Sequence, residues 1–193
     1  MTKDAIREVL DFWFDESSEP HWFEPSATFD EVVGERLATL HARAAAGELD
    51  DWRASPEGCV ALCILLDQAP RQLFRGTGRA FATDDKALAI AEHALASGFD
   101  RQLPLARRQF LYMPLMHSER LDCQLRCVEL YEAPELRDKL VYAEEHTEII
   151  RRFGRFPHRN AALGRVSTAE EQAYLRDDMN HFGQAAPPTV DRR

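Results

Sequence analysis

Cys59-Val-Ala-Leu-Cys-Ile-Leu-Leu66 is apolar on every side, and Asp67-Gln-Ala-Pro-Arg71 follows it directly. A run without a polar stripe, and too short to cross a membrane, reads as a helix that other helices must surround. Pro56 suits its first turn. The run is expected to end at Asp67-Gln68, where a carboxylate meets the negative end of the helix dipole and asks for a cation; Arg71 and Arg75 are the nearest in sequence.

Working outward, apolar residues recur at helical spacing and no stretch alternates as a strand does, so the chain reads as all-α. Toward the N-terminus, residues 3 to 14 form a helix after Thr2 as cap, ending in Phe12-Trp-Phe14. Ser26 opens a second helix, with Phe29, Val32, Val33, Leu37, Leu40 and Ala44 on its inner face and Gly47 as its stop. Toward the C-terminus, Thr83 caps a helix stopped by Gly98, and Pro104 begins another that should end or kink at Pro114. Ser118 caps the next. Pro134 starts a long helix ended by Gly154, and Thr168-Ala-Glu-Glu171 is a capping box for a last short one. About eight helices with short connections are expected to stack as antiparallel pairs in one domain, residues 1 to 183, with 184 to 193 as a flexible tail.

Length and composition agree with a single core: 193 residues, 45% of them hydrophobic. No apolar run reaches the ~18 residues of a membrane span, and the N-terminus lacks the features of a signal peptide. The sequence thus reads as cytoplasmic, with no membrane association. Cys59/Cys63 and Cys123/Cys127 are spaced to share a helix face, which is compatible with four-thiolate zinc. Two such pairs within apolar helices read better as buried small hydrophobes, so neither metal nor cofactor is expected.

The charge distribution carries the functional signal. The formal net charge is -9, yet Arg151 to Arg165 holds five arginines and a histidine without a carboxylate. Gln68 to Thr83 and Arg101 to Ser118 are also free of acids and hold three arginines each. Only three lysines accompany 21 arginines, which codon usage accounts for; codon usage does not account for excluding acids from the same windows. Folded against each other, the three windows make a positive concavity on an acidic body, suited to an anionic small molecule or an acidic peptide and ill suited to nucleic acid. Arg75-Gly-Thr-Gly-Arg79 lacks a preceding strand and is no dinucleotide fingerprint, although its amides offer an anion nest.

Four phrases carry a family likeness: Val9-Leu-Asp-Phe-Trp-Phe14; Leu65-Leu-Asp-Gln-Ala-Pro-Arg71 with Phe74-Arg-Gly-Thr-Gly-Arg-Ala-Phe81; Phe110-Leu-Tyr-Met-Pro-Leu-Met-His-Ser-Glu119; and Arg152-Phe-Gly-Arg-Phe-Pro-His-Arg-Asn160 with Leu163-Gly-Arg165. They resemble the bacterial family known as domain of unknown function 924, from about Val9 to Leu175. The resemblance implies a tetratricopeptide-like, right-handed helical array and brings no activity with it. The cysteines lie outside the family pattern.

The polar residues of these phrases are the candidate site. Arg71, Arg75, Arg152, Arg155, Arg159 and Arg165 offer planar forks for phosphate or carboxylate, with Tyr112 and Asn160 as further ligand contacts. His117 and His158 are candidate proton carriers, and Asp67 and Glu119 their orienting carboxylates. Ser118 is better explained as a cap than as a nucleophile, and His146, on an apolar stripe with Ala143 and Ile150, as a core histidine. Two classes of function fit: a pocket that binds and transforms an anionic small molecule as a hydrolase or transferase, and a helical adaptor for an acidic peptide. Against both stands a purely structural network in which Asp67 and Glu119 are themselves the anions.

Overall fold

The structure, a computed structural model, describes residues 2–177. Helices and turns account for all its regular structure, with no strand among the described residues. In chain order the helices are α1 (Thr2–Trp13), α2 (Ala27–Ala45), α3 (Pro56–Cys63), α4 (Ala69–Leu73), α5 (Asp84–Ala96), α6 (Leu105–Met116), α7 (Leu121–Tyr131), α8 (Leu140–Phe153) and α9 (Ala169–Asp177). The tail expected at 184 to 193 lies outside the described residues.

α3 is the helix the apolar run demanded: Gly58 to Cys63 are all buried, and α1, α5 and α6 pack around it. Ser55 Oγ caps it by accepting from Gly58 N at 3.1 Å. The 3-10 turn Asp50–Ala54 lies so close that a Cβ on Gly58 would fall 1.9 Å from the Trp52 carbonyl oxygen, so only glycine fits there. Farther along the chain, neighbours in sequence are neighbours in space: α5 with α6, α6 with α7, and α7 with α8. Their short connections turn each helix back along the one before it.

Five local expectations are corrected. The core helix does not stop at Asp67-Gln68 but passes through a π turn, Ile64–Gln68, directly into α4. Pro70 is the cause: it has no N–H to offer Leu66 O and its ring crowds the preceding turn, so the spiral widens and Ala69 N reaches back to Ile64 O. Thr83 accordingly does not cap α5 with its side chain; its hydroxyl donates to the stranded Leu66 carbonyl at 2.5 Å. Pro114 does not end α6, which runs on through it to Met116. Ser118 does not cap α7, which begins after Arg120, and the helix expected from Pro134 starts only at Leu140, after a 3-10 turn, Arg137–Lys139. The capping box of α9 forms in both directions, Glu171 N to Thr168 Oγ1 at 3.1 Å and Thr168 N to Glu171 Oε2 at 2.7 Å.

Trp13, Trp22, Phe14, Phe29 and Phe110 make an aromatic cluster that ties α1 and the following loop to α6; Trp22 and Phe110 meet edge-on with centroids 4.7 Å apart. Trp22 Nε1 donates to Trp13 O at 2.9 Å, which seats that loop over one end of a cavity. No helix among the described residues is long and apolar enough to cross a membrane.

Candidate functional site

Three helical faces enclose a cavity of about 590 Å³. One wall runs from the π turn through α4 and contributes Gln68, Arg71, Gln72 and Arg75, spaced three or four apart so that they share a face. The second is α6, with Gln109, Met113, Met116 and His117. The third is Lys139, Tyr142 and His146, at and inside the start of α8. Trp22 and Phe23 close one end and Phe81, His158 and Arg159 the other.

Chemistry concentrates at the second end. The π turn carries Asp67 inward, leaving it 1% exposed, and its carboxylate meets the ring of His117 at the C-terminal end of α6: Nδ1 lies 2.8 Å from Oδ1 and 2.9 Å from Oδ2. Arg71 Nη2 sits 3.1 Å from Asp67 Oδ1, and the Gln68 amide donates to Oδ2. Burial alone pushes the Asp67 carboxyl up, but Arg71 and His117 reverse this and hold it well below the usual carboxylate range. For His117, burial leads and disfavours the imidazolium; Arg71 and Arg159 add to that against Asp67, and the net displacement is downward. The pair is therefore a carboxylate and a neutral imidazole. An ionised carboxylate only accepts, so Nδ1 carries the proton and Nε2 keeps the lone pair.

Arg159 locks this end. Its guanidinium is sandwiched between Phe81 and Phe156, 4.6 and 4.7 Å from their ring centres, and donates to Asp84 Oδ2 and His117 O, each at 3.0 Å. Burial lowers its proton affinity to about 10, and it stays charged at neutral pH. Two further histidines stand nearby as neutral rings: burial, with His117 and Arg159, takes His146 down to about 3, and burial, with Arg159 and His146, takes His158 well below its ordinary value.

The cations of the wall are oriented. Arg71 and Arg159 share Asp84, Arg71 also holds Asp67, and Arg75 grips Asp30 through two bonds of 2.8 Å. These carboxylates stand behind the wall, so each ion pair turns its positive member toward the cavity. The carboxylates that do line it, Glu24 and Asp138, are exposed at its rim.

Of the residues singled out in the sequence, Arg71, Arg75, Arg159, His117 and His158 come together here, with Asp67 directly behind. The rest are placed elsewhere. Glu119 accepts from Arg165 through both oxygens, at 2.7 and 2.9 Å, and from Phe156 N at 2.8 Å; it fastens the loop after α8 instead of orienting a histidine. Arg165 also donates to Asn160 Oδ1, and Asn160 to Ser167 Oγ. Arg155 pairs with Glu171 at 2.6 and 2.8 Å, Arg152 with exposed Glu170, and Tyr112 with Asp100 at 3.0 Å. The loop Arg75-Gly-Thr-Gly-Arg79 sends only Arg75 to the cavity. Lys139, Gln109, Gln72 and Tyr142 were not foreseen; only Gln109 had a sequence signal, its spacing with Met113 and Met116 ahead of His117, and it reads equally as core.

All four cysteines are free and buried, in α3 and α7; burial raises Cys59 to about 11 and Cys127 to about 12. Among the described residues no cluster of three or more His, Cys, Asp or Glu is arranged to hold a metal ion.

The profile of a family described as bacterial protein of unknown function (DUF924) matches residues 9–178. Among solved structures, a protein of unknown function from Agrobacterium tumefaciens is 38% identical, with a TM-score of 0.85 over 92% of this chain and 100% of that one. No curated protein matches the chain.

Proposed function

We propose that this chain, which belongs to the bacterial family of unknown function DUF924, binds an anionic small molecule in the cavity and uses His117 as the proton acceptor in a hydrolysis or group transfer. The observation that carries the reading is the Asp67–His117 pair at the wall of a cavity of about 590 Å³. A buried carboxylate fixing Nδ1–H sets the tautomer in which Nε2 is basic, and a proton acceptor that is neutral at pH 7 is the form general-base catalysis needs. Arg71 and Arg159, beside that ring, supply positive charge to a developing oxyanion from fixed positions. A volume of several hundred Å³ suits a small molecule. In this reading Arg152, Arg155 and Arg165 hold the C-terminal loop and do not touch the ligand.

The test is a panel of 4-nitrophenyl carboxylic and phosphoric esters, assayed with wild type, His117→Gln and Asp67→Asn. Wild type is expected to turn over at least one class, and each substitution to lower kcat/KM by about 100-fold or more. The wild-type rate should fall only on acidification below the ordinary imidazole value of about 6.5. Turnover undiminished in His117→Gln refutes the assignment.

A further inference from the structure

We propose that Lys139, held by Gln109 at the end of the cavity opposite His117, anchors the anionic group of the ligand, which is therefore an elongated molecule whose charged end lies about 10 Å from the group that reacts. This rests on the function proposed above and deepens it.

Lys139 differs from the other cations of the wall. Arg71, Arg75 and Arg159 each have a carboxylate oxygen within 3.1 Å. Lys139 has none within ion-pair distance among the described residues; its ammonium donates instead to the neutral Oε1 of Gln109. Gln109 is 3% exposed, and its amide oxygen is committed to aiming that ammonium. A half-buried ammonium aimed into a cavity and left without a counter-ion is a site awaiting one.

Position strengthens the point. Lys139 is the N-cap of α8, a helix of 14 residues with no acid in its first turn. A cation at the positive end of a helix dipole costs stability, and no local carboxylate offsets it. Arrangements that break a local rule in this way are expected where function requires them. The acids near the rim, Glu24 and Asp138, are exposed, where water and salt screen them.

The length follows from α6. Gln109 and His117 are eight residues apart, which at 1.5 Å per residue is about 12 Å of helix axis. Met113 and Met116 lie between them on the same wall. A ligand that reaches from the Lys139 ammonium to the His117 ring thus presents an anion, an apolar middle over two flexible thioethers, and a reactive group.

Straight-chain carboxylates from acetate to dodecanoate, titrated calorimetrically at pH 7.5, test this. Wild type is expected to bind more tightly with each added methylene until the chain covers Met113 and Met116, at about six to eight carbons, and to level off beyond. Lys139→Met should weaken octanoate about 10-fold or more without lowering the melting temperature, Lys139→Arg should restore most of the affinity, and Arg155→Ala, outside the cavity, should stay within about threefold of wild type. Octanoate binding that is indifferent to Lys139→Met but lost in Arg71→Met overturns the role of Lys139 and leaves the proposed function standing. If wild type binds neither these carboxylates nor the matching alkyl phosphates, both fall together.

Discussion

His146 is neutral in the folded protein because burial, reinforced by His117 and the guanidiniums of Arg159 and Arg71, brings its proton affinity down to about 3. In an unfolded chain the same ring titrates near 6.5. Between those values the unfolded state holds a proton that the folded state does not, so the stability His146 leaves intact above about 6.5 declines as pH falls, and the loss is complete only near 3. Over the interval from pH 7 to pH 5 this one ring contributes a loss of about 2 kcal/mol, because the folded form stays neutral throughout while the unfolded form becomes almost fully charged. His146→Gln removes the contribution. Urea titrations followed by the fluorescence of the buried Trp13, Trp22 and Trp52 at the two pH values give the quantity directly. The other histidines are common to both proteins, and burial is the leading cause of the downward shift of His117 and His158 in each, so most of their contribution cancels. The variant should lose about 2 kcal/mol less than wild type between pH 7 and pH 5, whatever the substitution costs at pH 7. Equal losses in the two proteins refute the placement of His146 as a buried neutral ring.

Thr83→Val keeps the shape and removes the hydroxyl that satisfies Leu66 O beside the π turn, so urea unfolding should show a loss of about 1–3 kcal/mol; a loss under about 0.5 contradicts the role given to Thr83. Arg159→Met should destabilise by about 3 kcal/mol by removing a buried cation from Asp84 and His117 O, whereas Arg155→Ala should leave binding in the cavity untouched. Arg155 is the first cause of the depressed Glu171 value of about 2, so the stability that pair adds is present above the ordinary glutamate range and vanishes as pH falls through about 2; the Arg155→Ala melting difference should shrink in that window. Gly58→Ala drives a methyl into the Trp52 carbonyl and should cost about 3 kcal/mol in the same urea assay.

The helical class and most element positions were legible because periodicity is a property of the sequence itself: the apolar Cys59 to Leu66 had to be a surrounded helix, and it is. What the sequence could not show was the continuation of that helix. A proline four residues after Leu66 ordinarily ends a helix, and its survival here depends on Thr83, 17 residues away, supplying the missing donor. The site was legible as a composition and not as a geometry. Excluding acids from three windows pointed to Arg71, Arg75, Arg159 and His117, but the partners that neutralise the arginines, Asp84 and Asp30, lie outside those windows and become visible only after folding. The densest arginine run gave only Arg159 of its five arginines to the cavity, since others such as Arg155 and Arg165 are spent on Glu171 and Glu119. Lys139 escaped notice because a single lysine beside an aspartate looks like an ordinary surface pair, and its lack of a carboxylate partner is a fact of three dimensions.

The most direct measurement is the protonation state of His117, read by nitrogen-15 NMR of histidine-labelled protein, with its signals assigned by their absence in His117→Gln. The Asp67–His117 geometry predicts, at pH 7, a neutral ring protonated at Nδ1 and bare at Nε2, with a midpoint below about 6.5. An imidazolium at pH 7, or a neutral ring carrying its proton on Nε2, contradicts the account.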